Sequence, residues 1–266
     1  MKLSFTVDKG EVFGVIGPDG AGKSTLFRIL ASLLLPDNPS AKITIAGYST
    51  VKEYRQVRRV IGYMPGRFSL YQDLTVEENL KFFATLFNTT VDENYHLIKD
   101  IYRPIEPFKN RRAGALSGGM KQKLALSCAL VHKPKVLILD EPTTGVDPVS
   151  RQEFWDILGK LREQGITILV STAYMDEANR CTRIALMREG VFISTDTPKG
   201  ITNSYKEVLW SVEGSRMPAL LSQLRNHPGA KTAFAFGDNH HVTVEKGLRA
   251  ETLKEYLASQ GFNETR

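Results

Sequence analysis

Cysteine is scarce: Cys128 and Cys181 are the only two in 266 residues. They stand far apart without a Cys-x-x-Cys pair, which argues against a disulfide framework or a zinc site and fits a reducing compartment. Long apolar runs are missing too. A spanning helix needs about 20 apolar residues, whereas Phe82-Phe83-Ala84 and Val136-Leu137-Ile138-Leu139 are core-sized. The start, Met1-Lys2-Leu3-Ser4-Phe5, runs straight into alternating sequence with no signal-peptide pattern. A cytoplasmic chain is expected, with any membrane role left to a separate partner. The five histidines (His96, His132, His227, His240 and His241) fall in no phosphate or acid motif. His240 and His241 adjoin on an expected strand, so they face opposite ways and cannot chelate one metal; both are expected at the surface. Repeats and low-complexity segments are absent.

What is present is ordinary for a globular protein: 42% hydrophobic and 24% charged residues. The net charge of +6 is dispersed, with small clusters at Arg55/Arg58/Arg59 and Lys109/Arg111/Arg112. That favours a mildly basic surface facing phosphates or lipid headgroups over a nucleic-acid partner. Strands are expected at Lys2–Val7, Val12–Ile16, Lys42–Ala46, Val136–Asp140, Ile166–Ser171, Arg183–Met187 and Val191–Ser194. The continuous apolar runs Val12–Ile16 and Val136–Leu139 suit central strands covered on both faces. Helices are expected at Lys23–Leu34, at Thr75–Phe87 behind a Thr75-x-x-Glu78 capping box, and at Ser150–Gln164 before Gly165. Alternating strands and helices predict a mostly parallel α/β core. Residues 68–133 read as an inserted helical subdomain. After residue 203 the order becomes β-α-β-β-α, which predicts an accessory α+β domain over 204–266.

Gly17-Pro18-Asp19-Gly20-Ala21-Gly22-Lys23-Ser24-Thr25 fits G-x-x-x-x-G-K-S/T between an apolar strand and a helix, the context this phosphate loop requires. Glycines let the backbone fold tightly with amide N–H groups turned toward phosphate oxygens, and the helix adds its positive end. Lys23 can reach the β- and γ-phosphates, and the Ser24 hydroxyl can bind Mg²⁺. Much later, Val136–Glu141 is an apolar strand ending in two acids. Asp140 can hold Mg²⁺ through water, and Glu141 can orient or deprotonate an attacking water. In Leu116-Ser117-Gly118-Gly119, Ser117 can cap the following helix, while Gly118 and Gly119 leave its first amides bare. One triphosphate has no need of two such sites in one chain; the second is expected to cap a nucleotide held by another copy.

With the phosphate loop, the Leu116–Gly119 signature, the acidic strand and Thr144-Gly145-Val146-Asp147-Pro148 in this order, residues 3–195 resemble the nucleotide-binding subunits of ABC transporters. Gly62–Pro65, Asp73–Asn79 and Tyr174–Ala178 are similar to those of type-2 exporters, the daunorubicin-resistance-like group. The resemblance implies an ABC ATPase core of the P-loop NTPase class over residues 1–203, with the signature in the helical subdomain. It implies ATP and Mg²⁺ as cofactors, Asp147 in the loop crossing the dimer seam, and a homodimer or heterodimer closing head to tail on two ATP molecules. It further implies a separate membrane permease docking near Phe68–Phe87 and a peripheral position on the cytoplasmic face of the membrane.

Three departures stand out. Gly66 follows Tyr63-Met64-Pro65 where the family carries a glutamine, and Gln72 is out of register. Ala173 replaces the histidine expected in the switch loop, removing an electrostatic contact worth roughly 3 kcal/mol. Only 16 residues precede Gly17, whereas the family's adenine-stacking aromatic lies farther upstream, so either the sequence is truncated or base recognition is weak, with Phe13 a poor replacement. Slow hydrolysis is expected. The leading function is a transport ATPase subunit, with an exporter favoured. The alternatives are a soluble ABC ATPase acting in translation, repair or cofactor assembly, and a nucleotide-gated subunit with weak hydrolysis. Cys128 is expected in the core, and Phe82, Phe83 and Phe87 in packing.

Overall fold

The computed structural model describes residues 3–265, which form two compact units that meet in sequence at Ile201 and Thr202. The first contains β1 (Val12–Ile16), α1 (Lys23–Leu30), a small hairpin of β2 (Thr44–Ile45) and β3 (Tyr48–Ser49), and α2 (Tyr54–Val60). Then follow β4 (Ile61–Met64), α3 (Val76–Leu86), α4 (Val91–Tyr102), α5 (Gly118–Leu130), β5 (Val136–Asp140), α6 (Pro148–Glu163), β6 (Thr167–Thr172), β7 (Arg183–Arg188) and β8 (Val191–Asp196). The sheet order is β4-β5-β6-β1-β7-β8, parallel throughout except for the antiparallel β7–β8 edge. This is the α/β core expected from the alternation of elements.

The central strands are apolar throughout because both faces of the sheet are covered. Along β1, Val12 and Ile16 enter one core while Phe13 and Val15 enter the other. Along β5, Leu137 and Leu139 join the first core, Val136 and Ile138 the second. Side chains of α3 to α6 fill the first; Leu26, Phe27 and Leu30 of α1 and Val57 of α2 fill the second. The capping box forms at α3: Thr75 Oγ1 accepts from Glu78 N–H and Glu78 Oε2 from Thr75 N–H. Cys128 is buried in α5, as expected, and burial pushes its thiol well up.

Several expected elements change. Leu3–Val7 forms no strand; Lys2 lies outside the described residues. Its alternation reflects Leu3, Phe5 and Val7 packing against the second core, with no neighbouring strand to pair the backbone. Helix α1 stops at Leu30 rather than Leu34. Ser32 turns left-handed at φ 56°, and the Leu33 and Leu34 amides fold back onto Arg28 O. Leu33, Leu34 and Leu35 are consequently exposed. The expected strand at Lys42–Ala46 shrinks to the two residues of β2, and β4 is a parallel strand that the sequence pattern did not signal.

Helix α7 (Pro198–Ser204) leads into the second unit: β9 (Val208–Val212), α8 (Met217–Asn226), β10 (Ala230–Phe236), β11 (Asn239–Val244) and α9 (Ala250–Ser259). Its antiparallel sheet runs β10-β11-β9. His240 corrects an expectation: it is buried, its Nε2 meeting Met217 O at 2.8 Å, because its side of β11 is the side carrying Val242 and Val244 into that unit's core.

The first unit's packing makes two outcomes measurable. A Cβ on Gly62 of β4 would lie 2.2 Å from the Ala129 carbonyl oxygen of α5 and 2.7 Å from Leu137 Cδ2, whereas one on Gly159 of α6 meets nothing. Gly62→Ala should destabilise by about 1–3 kcal/mol through overpacking. Gly159→Ala should stabilise by about 0.5–1 kcal/mol. Denaturant midpoints moving the same way would refute this packing. His132 stacks on Phe87 at 3.8 Å, and its Nε2–H donates to Ile61 O at 2.9 Å. Burial holds its pKa below the ordinary 6.5, outweighing the carbonyl, which raises it. The unfolded chain therefore binds more protons, so stability present above pH 6.5 is lost as pH falls toward the folded value. The thermal midpoint of His132→Gln should fall less steeply below that pH; equal slopes would assign the titration elsewhere.

Candidate functional site

Four adjacent parallel strands end on the same side. Register sets Ile16 beside Thr172, Asp140 beside Ser171 and Met64 beside Leu139. The segments leaving β1, β4, β5 and β6 therefore line one crevice at the carboxyl edge, where open α/β sheets hold ligands. These segments carry Gly17–Ser24, Gly66, Glu141 and Ala173.

The loop after β1 is shaped by glycine. A Cβ on Gly17 would lie 2.2 Å from Met187 O, so only glycine fits against β7. Gly20 and Gly22 sit at φ 79° and 101°, and Gly22 caps α1. Pro18, Asp19 and Thr25 are exposed; Ala21 and Lys23 are buried. Lys23 is only 3% exposed. Its Nζ donates to Gly17 O at 2.7 Å and Pro18 O at 3.0 Å, and pairs with Glu141 Oε1 at 3.0 Å. A buried ammonium requires such partners, and phosphate oxygens are a chemical match for the same position.

Asp140 is the second anchor. Its buried Oδ1 accepts from Ser24 Oγ at 3.1 Å and Ser171 Oγ at 2.7 Å. Serine hydroxyl and carboxylate form a hard, all-oxygen donor pair that suits a divalent cation completed by phosphate and water. No cluster of three or more His, Cys, Asp or Glu side chains able to hold a metal occurs among the described residues. Burial, and then the charge of Asp140, push the neighbouring Tyr63 phenol above its ordinary value. Glu141 adopts φ 48°, left-handed for a non-glycine, fixed by its N–H donating to Ser171 Oγ at 2.9 Å and Ser171 O at 3.1 Å. That turn sends its carboxylate to Lys23 while Asp140 faces Ser24. In sequence Ser171 is only the end of an expected strand; a hydroxyl at the end of an apolar strand beside an acidic strand is the available signal.

Gly66 lies against this centre, its ideal Cβ 3.7 Å from Asp140 Oδ2. Ala173 is exposed. Gln72 instead packs at Gly114, which donates its N–H to Gln72 O at 2.9 Å. Phe13 is fully buried and stacked on Phe5.

Ser117, Gly118 and Gly119 form a separate group. Ser117 caps α5, its Oγ accepting weakly from Met120 N–H at 3.4 Å. Asp147 caps α6 by accepting from Ser150 N–H at 3.0 Å, which holds its pKa low. The two helix starts abut: a Cβ on Gly119 would come within 2.8 Å of Ser150 Oγ, and one on Gly118 within 3.3 Å of Gly145 O. Ser150, in sequence only the start of a helix, thus explains the need for glycine at 119. No hydrogen bond or ion pair joins this group to Gly17–Thr25 among the described residues.

The profile of the family described as ABC transporter matches residues 1–144. Over 204 residues the chain is 47% identical to the probable multidrug ABC transporter ATP-binding protein YbhF of Escherichia coli (strain K12), covering 76% of this chain and 35% of that protein. It is 40% identical over 205 residues to the Nod factor export ATP-binding protein I of Burkholderia lata, covering 76% of this chain and 67% of that one. The chain thus spans about a third of the first relative. Among solved structures, an ATP-binding subunit of an ABC transporter superimposes with a TM-score of 0.69 at 29% identity, covering 76% of this chain and 85% of that one. A dimeric post-hydrolysis ATP-binding cassette, MJ0796 bound to ADP and Pi, gives 0.66 at 26%, covering 74% and 89%. The chain belongs to the ABC transporter family, as an ATP-binding domain.

Proposed function

We propose that this chain hydrolyses ATP to drive a separate membrane permease that exports its cargo. The observation that carries the reading is the convergence of Lys23, Ser24, Asp140 and Glu141, drawn from distant parts of the sequence into one hydrogen-bonded centre. The names of the relatives, multidrug transport and Nod factor export, support export over a soluble role. No helix among the described residues is long and apolar enough to cross a membrane; in the proposed reading the chain is a peripheral subunit on the cytoplasmic face.

In this reading residues 1–203 are the cassette, 68–133 its helical subdomain and 204–266 an accessory domain. Backbone amides from Gly17 to Thr25 cradle the triphosphate. Lys23 exchanges the Gly17 and Pro18 carbonyls and Glu141 for β- and γ-phosphate oxygens. Ser24 and Asp140 would hold Mg²⁺, which neutralises charge on the phosphates when bound. Glu141, released from Lys23, takes a proton from water as the water oxygen bonds to the γ-phosphorus and the β,γ-bridging oxygen leaves with ADP. Ser117, Gly118 and Gly119 seal the nucleotide of a second cassette, identical or not, and Asp147 lies at the seam. Exposed Tyr71, Phe82 and Leu86 offer the permease an apolar surface. Gly66 and Ala173 give no side-chain donor, which makes turnover slow.

Glu141→Gln should lower ATP turnover by about a hundredfold or more while ATP-dependent dimers persist; equal rates would reject Glu141 as the base. Ala173→His should raise turnover, by about a hundredfold if the donor reaches the γ-phosphate; an unchanged rate would show that position 173 does not limit the reaction.

A further inference from the structure

Helix α6 begins with the capping residue Asp147, and one turn on, Arg151 N–H donates to Asp147 O at 2.9 Å. The Arg151 side chain leaves α6 and engages three residues after β6. Its guanidinium lies 4.1 Å over the Tyr174 ring, Nη2 meets Asp176 Oδ2 at 3.0 Å, and Nε donates to Glu177 Oε1 at 3.2 Å. Glu177 is 3% exposed, and the same Oε1 accepts from Thr143 Oγ1 at 2.7 Å. Thr143 stands two residues beyond Glu141, and Thr144 Oγ1 reaches Glu141 Oε2 at 3.4 Å. The guanidinium thus ties residues 174–177 to the start of α6, and Glu177 in turn holds Thr143, two residues from Glu141.

We infer that Arg151 is a positioning residue for ATP hydrolysis, holding these segments at the spacing Glu141 needs. Among the described residues no hydrogen bond or ion pair links Arg151 to Glu141, Lys23 or the phosphate loop, so its effect passes through Thr143, Glu177 and Tyr174. The flat guanidinium suits this role because it stacks on a ring and forks toward two carboxylates at once, which a lysine cannot do. With alanine at 173, the segment after β6 has no long side chain of its own at that position, and the tether at Tyr174 is adjacent. The inference rests on the ATPase reading proposed above.

The test compares Arg151→Met, Arg151→Lys and the Arg151→Met/Glu177→Gln pair. The pair removes both charges, so that no buried carboxylate is stranded and folding is protected. Arg180→Gln is the control, because Arg180 ties the same 175–180 turn to Asp156 of α6 farther along the helix. ATP turnover, binding of a fluorescent ATP analogue with Mg²⁺, and amide hydrogen exchange are measured on the full chain. In the pair, kcat should fall about 10- to 100-fold with nucleotide affinity changed by less than about twofold, as expected for misplacement of reacting groups. Arg151→Lys should recover part of the rate, Arg180→Gln should keep it, and faster exchange should be confined to 143–147 and 172–177. An unchanged kcat in the pair, or exchange accelerated evenly along the chain, overturns the assignment. Unmodified protein that binds the analogue without turning over ATP rejects the hydrolysis reading instead, and loop exchange then decides whether Arg151 holds the segments.

Discussion

A buried ammonium organises the site. Lys23 has almost no access to water, so its charge must be met by the protein. The Gly17 and Pro18 carbonyls curl the loop around it, and Glu141 closes the other side. This ties the end of β1 to the end of β5, two strands separated in the sheet by β6. The Ser24–Asp140 bond makes the same connection a residue away. Breaking such a buried pair by deleting one partner costs about 3–5 kcal/mol, but exchanging one anion for another need not. A phosphate offers Lys23 more negative charge than a carboxylate does. On the proposed mechanism, the residue that accepts the water's proton is therefore held by the lysine until a phosphate takes its place.

The central strands and the phosphate loop were legible because their signals are local. Val12–Ile16 and Val136–Asp140 are uninterrupted apolar runs, and their expected bounds agree with β1 and β5. The capping box at Thr75 was equally local. What escaped depends on partners. Leu3–Val7 alternates like a strand, but no neighbouring backbone pairs with it. Leu33 and Leu34 continue a helical apolar pattern that a left-handed Ser32 cuts off, with Arg58 holding Ser32 O at 2.8 Å. His240 looked like a surface residue beside His241, yet strand alternation puts one of two neighbours inside. In the site, the family motifs brought attention to Lys23, Asp140 and Glu141. Ser171 and Ser150 read in sequence only as the end of a strand and the start of a helix, since a single hydroxyl has no signature until its neighbours are known.

The glycines separate packing from chemistry. At Gly17 and Gly62 an added Cβ would collide with a backbone oxygen at 2.2 Å, and at Gly119 with a serine at 2.8 Å. These positions are glycine because two segments touch there. Gly66 is different. Its φ is not left-handed, and the nearest obstacle, Asp140 O, is 3.2 Å away. Such a contact asks the neighbour to give by a few tenths of an ångström, not for the fold to change. The demand at Gly66 is thus milder than at Gly17 or Gly62, and a side chain there would enter the space in front of the Asp140 carboxylate. Ala173 is exposed. Both departures lie on the two segments that border Asp140 and Glu141; Ser171 bonds directly to Asp140 and to the Glu141 N–H, and in the role proposed for it Arg151 steadies the same segments from farther out.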